Sequence, residues 1–151
     1  MTATETIAAR KDRMAVLARS TNAGLQELWS RLGVGPAYRL LRGPEFGLVM
    51  LRGRIGGTGD AFNIGEATVT RASVKLEDGS VGHAMMLGRE PAKAELAAVI
   101  DAVCRDEGMA ARIDRDLVEP IRLKLQAADD TRSGQTAATR VDFFTMVRGE
   151  G

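Results

Sequence analysis

Aromatic residues are scarce in this chain: they make up 4% of its 151 residues, with one Trp and one Tyr. A core must therefore rest on Leu, Val, Ile, Ala and Met, which the 44% apolar content supplies. Cys104 is the only cysteine, so no intrachain disulfide forms and a reducing compartment is the simpler reading. His83 is the only histidine, which excludes a histidine-rich metal site, and Cys104 has no metal-ligand spacing to it. Net charge is nearly absent: 21 basic against 20 acidic residues leave +1, without the pull toward nucleic acid or anionic membrane that a basic chain shows. No apolar run approaches the roughly 20 residues of a membrane helix. Residues 1–10 lack the apolar stretch of a signal peptide. The expectation is a soluble cytoplasmic protein, with one domain over residues 1–151.

What is present has a clear order. Residues 4–19 carry Ile7, Met14, Leu17 and Ala18 at helical spacing, and Ser20, Thr21 and Asn22 are capping types that break the helix. A second helix carries Leu25, Leu28, Trp29 and Leu32, with Gly33 placed to end it and Pro36 beyond. Residues 37–42 and 46–55 read as two strands separated by the Gly43-Pro44-Glu45 turn. Residues 64–77 read as a long strand, returned by a two-residue Asp78-Gly79 hairpin into residues 80–87. Pro91 opens a helix to about residue 107, and residues 113–125 form another around Pro120. Residues 127–139 are small and polar and read as a linker. The predicted class is α+β: an antiparallel four-stranded sheet packed by N-terminal and C-terminal helices, with an apolar C-terminal tail.

Setting Glu77 opposite Ser80 places Ala72, Val74 and Leu76 beside Met85, His83 and Val81. Val49, Leu51 and Ile55 then lie beside Thr70, Thr68 and Ile64, and this face should receive the helices. The other face carries Arg52, Arg54, Arg71, Ser73 and Lys75, with Leu48, Met50 and Met86. A basic face in a near-neutral chain suggests an anion or an acidic partner, and equally a solvated surface. A slip or bulge would separate Arg71 from the other two arginines.

The loop Gly56-Gly57-Thr58-Gly59-Asp60 joins strand to strand, so it fails as a Walker or dinucleotide loop, which needs a helix next. It remains either an amide nest for an anion, through Gly57 and Thr58, or a plain hairpin loop. His83 reads as a core or rim imidazole and Cys104 as helix packing. The carboxylates Glu66, Glu77, Asp78 and Glu90 form no acid/base pair, and no nucleophile elbow occurs. At the chain's end, residues 140–151 concentrate Val141, Phe143, Phe144, Met146 and Val147 between Arg140 and Arg148. Such a segment must dock, either as a last strand on its own sheet or as an arm on a partner.

Several of these stretches also carry a resemblance. Gly47-Leu48-Val49, then Arg54-Ile55 running into the glycine loop, then Phe62, Gly65, Ala67, Thr68, Thr70, Arg71 and Ala72 are similar to the central block of the G-subunit family of the bacterial carbon–phosphorus lyase system. Leu87-Gly88-Arg89 resembles its next landmark, and residues 140–149 its C-terminal signature. The resemblance implies a subunit of a core complex with the H, I and J subunits, acting with the ATP-binding-cassette-like L subunit. It implies a transferase step in which methylphosphonate displaces the adenine of ATP, giving α-D-ribose 1-methylphosphonate 5-triphosphate. ATP is then a co-substrate of the complex, and this chain alone holds no cofactor. Nucleosidase chemistry falls to the I subunit and radical cleavage to the iron–sulfur J subunit, and no cysteine cluster is present here. No catalytic residue is carried over, and the isolated chain is expected to be inactive. The candidate anion contacts are Arg52, Arg54, Gly57, Thr58, Arg71 and Arg89. The candidate partner contacts are Arg140, Val141, Phe143, Phe144, Met146, Val147 and Arg148. A scaffold that touches no substrate is the alternative.

Overall fold

The structure is a computed structural model that describes residues 3–148, and of residues 3–5 and 137–148 the backbone alone. Two helices open it, α1 (Ala3–Arg19) and α2 (Asn22–Leu32). The Thr21 hydroxyl accepts the Gly24 amide at 3.1 Å, and Gly33 ends α2 in the left-handed region at φ 65°. Three antiparallel strands follow in the order β1 (Tyr38–Arg54), β2 (Ala61–Leu76) and β3 (Val81–Leu87). The helices α3 (Pro91–Val103) and α4 (Glu107–Ile113), a π-turn over Asp114–Val118 and α5 (Glu119–Arg148) complete the chain.

The sheet has three strands, not the expected four. The two predicted strands on either side of Gly43-Pro44-Glu45 are one strand, irregular between Leu40 and Arg42 and between Arg42 and Glu45. Pro44 has no amide to donate, and β1 lies at the sheet edge, where a bulge tolerates that loss. The Asp78-Gly79 turn is also longer than predicted. Leu76 accepts the Gly79 amide and donates to Ser80, which leaves a three-residue loop with Gly79 at φ 90°.

That extra residue moves the register by one, and the consequences are large. Ala72 pairs with Ala84, Ser73 with His83 and Val74 with Gly82. Ala72, Val74, Leu76, Ala84 and Met86 are buried on the helix side. His83 and Met85, expected there, face the other way, and Met86 rather than Met85 enters the core. On the long hairpin, Val49 pairs with Ala67 and Leu51 with Gly65, three positions from the expected register.

Helix α3 is buried nearly all round, as a central helix must be. Its inward residues pack on β2 and β3 while α1 and α2 cover its back. Lys93 on α3 is buried. Its ammonium donates to the carbonyls of Ala18 and Ser20 at 3.1 and 2.9 Å, capping the negative end of α1. Arg13 is buried too and forks onto Asp114 at 2.7 and 2.8 Å. This carboxylate raises the guanidinium's pKa.

The C-terminal part departs most from expectation. Residues 127–139, predicted as a linker, are helical within α5, and the strand-like reading of residues 141–147 gives way to the same helix. Thr131 and Thr136 return their hydroxyls to the carbonyls of Ala127 and Arg132, so they sit in the helix without orphaned groups. The helix expected to run to about residue 107 ends at Val103, and Asp106 caps α4 by accepting the Met109 amide at 2.8 Å. Pro120 lies just after the π-turn, which relieves the clash of its ring with the carbonyl four residues earlier.

Two groups tie stability to alkaline pH. Burial pushes the Cys104 thiol up from 9.0 to about 12, and the Glu95 carboxylate, accepting the Tyr38 hydroxyl at 2.6 Å, pushes that phenol up from 10.0 to about 12. Both folded groups hold protons that the unfolded chain releases earlier. Their contribution is complete below about pH 9 and is lost as pH rises toward about 12. The urea midpoint should therefore fall steadily above about pH 9. Cys104→Ala and Tyr38→Phe should each flatten that decline, and a flat wild-type profile would contradict the assignment.

Candidate functional site

The face of the sheet opposite α3 is lightly covered, and its pleat presents Arg71, Ser73, His83 and Met85. The start of α1 flanks it with Ile7, Arg10, Lys11 and Met14, and the irregular part of β1 adds Leu41 and Arg42. Together they line an open cleft of about 770 Å³. Local sequence explains each wall. The irregularity between Leu40 and Arg42 leaves Leu41 unpaired, Arg42 is paired with Ser73 between two irregularities, and Arg10 and Lys11 lie one turn before the buried stretch of α1.

Charge in the cleft is mostly positive. Arg71 donates to Glu45, its cross-strand partner, at 2.6 Å, and Arg42 reaches the same carboxylate at 3.4 Å. Arg10 forks onto Asp101 of α3 with both contacts at 2.8 Å, and Asp101 also accepts the His83 amide at 2.9 Å. That amide lies on the free edge of β3, so the carboxylate joins three elements. Lys11 has no ion pair among the described residues. Four cations therefore meet two carboxylates. Ser73 Oγ and His83 Nδ1 are hydrogen-bonded at 2.7 Å. This arrangement can hold an anion through guanidinium forks and a hydroxyl, with Met14, Leu41 and Met85 as an apolar lining. Among the described residues, no group of three or more His, Cys, Asp or Glu is placed to hold a metal ion, and no helix is long and apolar enough to cross a membrane.

Of the predicted anion contacts, the cleft contains Arg71 alone. Arg52 and Arg54 lie toward the far end of the β1–β2 hairpin, beyond the bulge at Leu51/Arg52. Arg52 is seven residues along β1 from Glu45, hence roughly 24 Å from Arg71's position. The pleat of β1 also turns both arginines to the opposite face. Gly57 and Thr58 form the hairpin tip, where Gly56 and Gly57 adopt φ 62° and 78° in a short 3-10 turn. Arg89 stacks over the Phe46 ring at 5.1 Å. The side chains of Arg140, Val141, Phe143, Phe144, Met146, Val147 and Arg148 lie outside the described residues. Arg10, Lys11, Arg42 and His83 were not foreseen in the cleft. The adjacent Arg10-Lys11 pair was the available signal for the first two.

The family described as phosphonate metabolism protein PhnG matches residues 8–149. The chain is 49% identical over 144 residues to the alpha-D-ribose 1-methylphosphonate 5-triphosphate synthase subunit PhnG of Rhizobium meliloti (strain 1021), covering 95% of this chain and 92% of that protein.

Proposed function

This chain belongs to the PhnG family of phosphonate-metabolism proteins, and from that premise we propose that it is a non-autonomous subunit of the carbon–phosphorus lyase core complex. In that complex it is required for transfer of the ribose triphosphate of ATP to methylphosphonate with release of adenine. Its partners are the H, I, J and L subunits, and it works in the cytoplasm. The observation that carries this reading is near full-length similarity to a protein named as a subunit of that synthase.

The role of this subunit is to hold anionic oxygens. A phosphonate attacking the anomeric carbon of a ribose triphosphate brings two polyanions together, and their repulsion must be offset. The cleft of Arg10, Lys11, Arg42, Arg71 and Ser73 has the donors for this, beside apolar surface. Arg71 and Arg42 exchange Glu45 for substrate oxygens at little cost, because exposed ion pairs are worth about 0–1 kcal/mol. A charged hydrogen bond to the substrate is worth about 1.5–3 kcal/mol. Lys11→Gln, Arg42→Gln and Arg71→Gln, each in the assembled complex, should raise the KM for ATP or phosphonate about tenfold or more. Adenine release is the readout, with subunit stoichiometry checked in parallel. Normal assembly with full activity in all three would remove the substrate contact. It would leave the scaffold reading, which the uncovered apolar surface of the β1–β2 hairpin favours.

A further inference from the structure

The hairpin of β1 and β2 is far longer than the sheet it belongs to. β3 stops pairing at Val69↔Leu87, yet β1 and β2 continue to Arg54↔Ala61. The Thr68 carbonyl accepts the Gly88 amide at the base, and beyond it residues 48–68 form a two-stranded ribbon with neither a third strand nor a helix against it among the described residues. Its length is roughly 24 Å, from about seven paired positions at about 3.4 Å each. An isolated two-stranded ribbon is marginal in water. This one exposes Leu48, Met50, Leu51, Ile55, Phe62 and Ile64, with Leu48 67% and Ile55 73% accessible.

The distribution of those residues is the informative part. Leu48 and Met50 lie on one face, opposite Thr68 and Glu66. Leu51 lies on the other face, and a Cβ at Gly53 would meet Ile64 and Phe62, which puts them on that face too. The bulge at Leu51/Arg52 makes this possible, because an inserted residue shifts the alternation of β2. Ile55 crowns the tip. A ribbon lying on a flat partner, or on a second copy of itself, would dry one face and leave the other in water. Both faces are covered only if the ribbon enters a cleft with two apolar walls. The size also fits: one side of a stable interface supplies about 20–30 residues, the length of this segment.

We infer that residues 48–68 are an insertion arm that enters an apolar cleft of another subunit of the same synthase. This inference rests on the reading of the chain as a subunit, and it names the surface through which that subunit docks. Arg52 and Arg54, which form no ion pair within the described residues, flank the arm near its tip and reach the floor or rim of the cleft.

The test is co-expression of the full chain with the H, I and J subunits, using Met50→Lys and Ile64→Lys, one on each face. Each is expected to weaken assembly about tenfold or more while the isolated chain keeps its melting temperature, since neither side chain is in the core. Hydrogen exchange on the wild-type chain is the second measurement and depends on no variant. Amides at 48–54 and 61–68 should slow at least about tenfold on assembly, since free ribbon edges exchange readily. If the wild-type chain fails to co-purify, the subunit reading falls and the arm with it. If the wild-type chain assembles but both variants do too, with unchanged exchange in the ribbon, only the arm falls. Weakening by one variant alone would mean a one-sided contact and would overturn the cleft. So would an isolated chain that dimerises and is made monomeric by these substitutions.

Discussion

Gly82→Ala should cost about 3 kcal/mol or more and lower the melting temperature by roughly 6–12 °C. Gly82 is the point of closest approach between β3 and α3. A Cβ there would stand 2.0 Å from the Ala98 carbonyl oxygen, 2.4 Å from the Ala102 nitrogen and 2.9 Å from the Ala102 side chain. Two of these are backbone atoms of a helix buried nearly all round, so no rotamer change can relieve the clash. The helix would have to move off the sheet, uncovering Val74, Ala84 and Met86. Gly43→Ala is the control, because nothing lies within 4 Å of its added methyl. Equal melting temperatures for the two variants would show that the α3–sheet contact is more yielding than its geometry indicates.

Gly82 also marks the limit of what the residues disclosed. Helices α1 and α2, the caps at Thr21 and Gly33, and the strand-to-strand nature of the glycine loop follow local rules, and all appear where local rules put them. The register does not follow them. Asp78-Gly79 suits a two-residue turn, but Gly79 takes the left-handed position that closes a three-residue loop. Either turn is locally sound. Packing decides: only the observed register sets Gly82 and Ala84 under α3, where a histidine and Met85 would not fit. Pro44 misled for a related reason. It reads as punctuation between strands, yet an edge strand can absorb it in a bulge. The helix through residues 127–139 was hidden by composition. Ser, Thr and Gly there mimic a linker, while hydroxyl bonds to preceding carbonyls keep the helix intact.

The basic surface was legible in kind but not in membership. Arg71 and Ser73 were expected on an arginine-bearing face and are there. Arg52 and Arg54 were joined to them by a register that set Val49 beside Thr70; Val49 pairs with Ala67 instead, and this shift of three positions puts both arginines on the opposite face. Arg10 and Lys11 come to the cleft through the docking of α1, which depends on α3 and could not be derived from strand pattern. Val49, Leu51, Ile55 and Ile64 of the hairpin were read as facing the helices, because an apolar strand residue is taken to face a helix. Here the hairpin outruns every helix.

Asp101→Ala should cost about 3 kcal/mol and empty the cleft of its Arg10 donor. Asp101 is 2% exposed and lies on α3. It takes the Arg10 fork at 2.8 Å on each oxygen and the His83 amide at 2.9 Å, so one carboxylate ties α1, α3 and the open edge of β3. Removing it strands a guanidinium and a backbone amide. Breaking a buried pair costs about 3–5 kcal/mol, and the Arg10 side chain, 38% exposed, can recover water, so the low end applies. Asp101→Asn keeps an acceptor and the shape but loses the charge, so it should fall between wild type and alanine. Arg10→Gln should destabilise less than Asp101→Ala, because the His83 amide keeps its partner. The two measurements to compare are urea stability and, in the assembled complex, the KM for ATP. Should Asp101→Asn match wild type in both, the carboxylate is a packing element that neither orients Arg10 nor supports the cleft. A raised KM with near-normal stability in Asp101→Asn would instead mark it as the residue that positions Arg10 toward the anion.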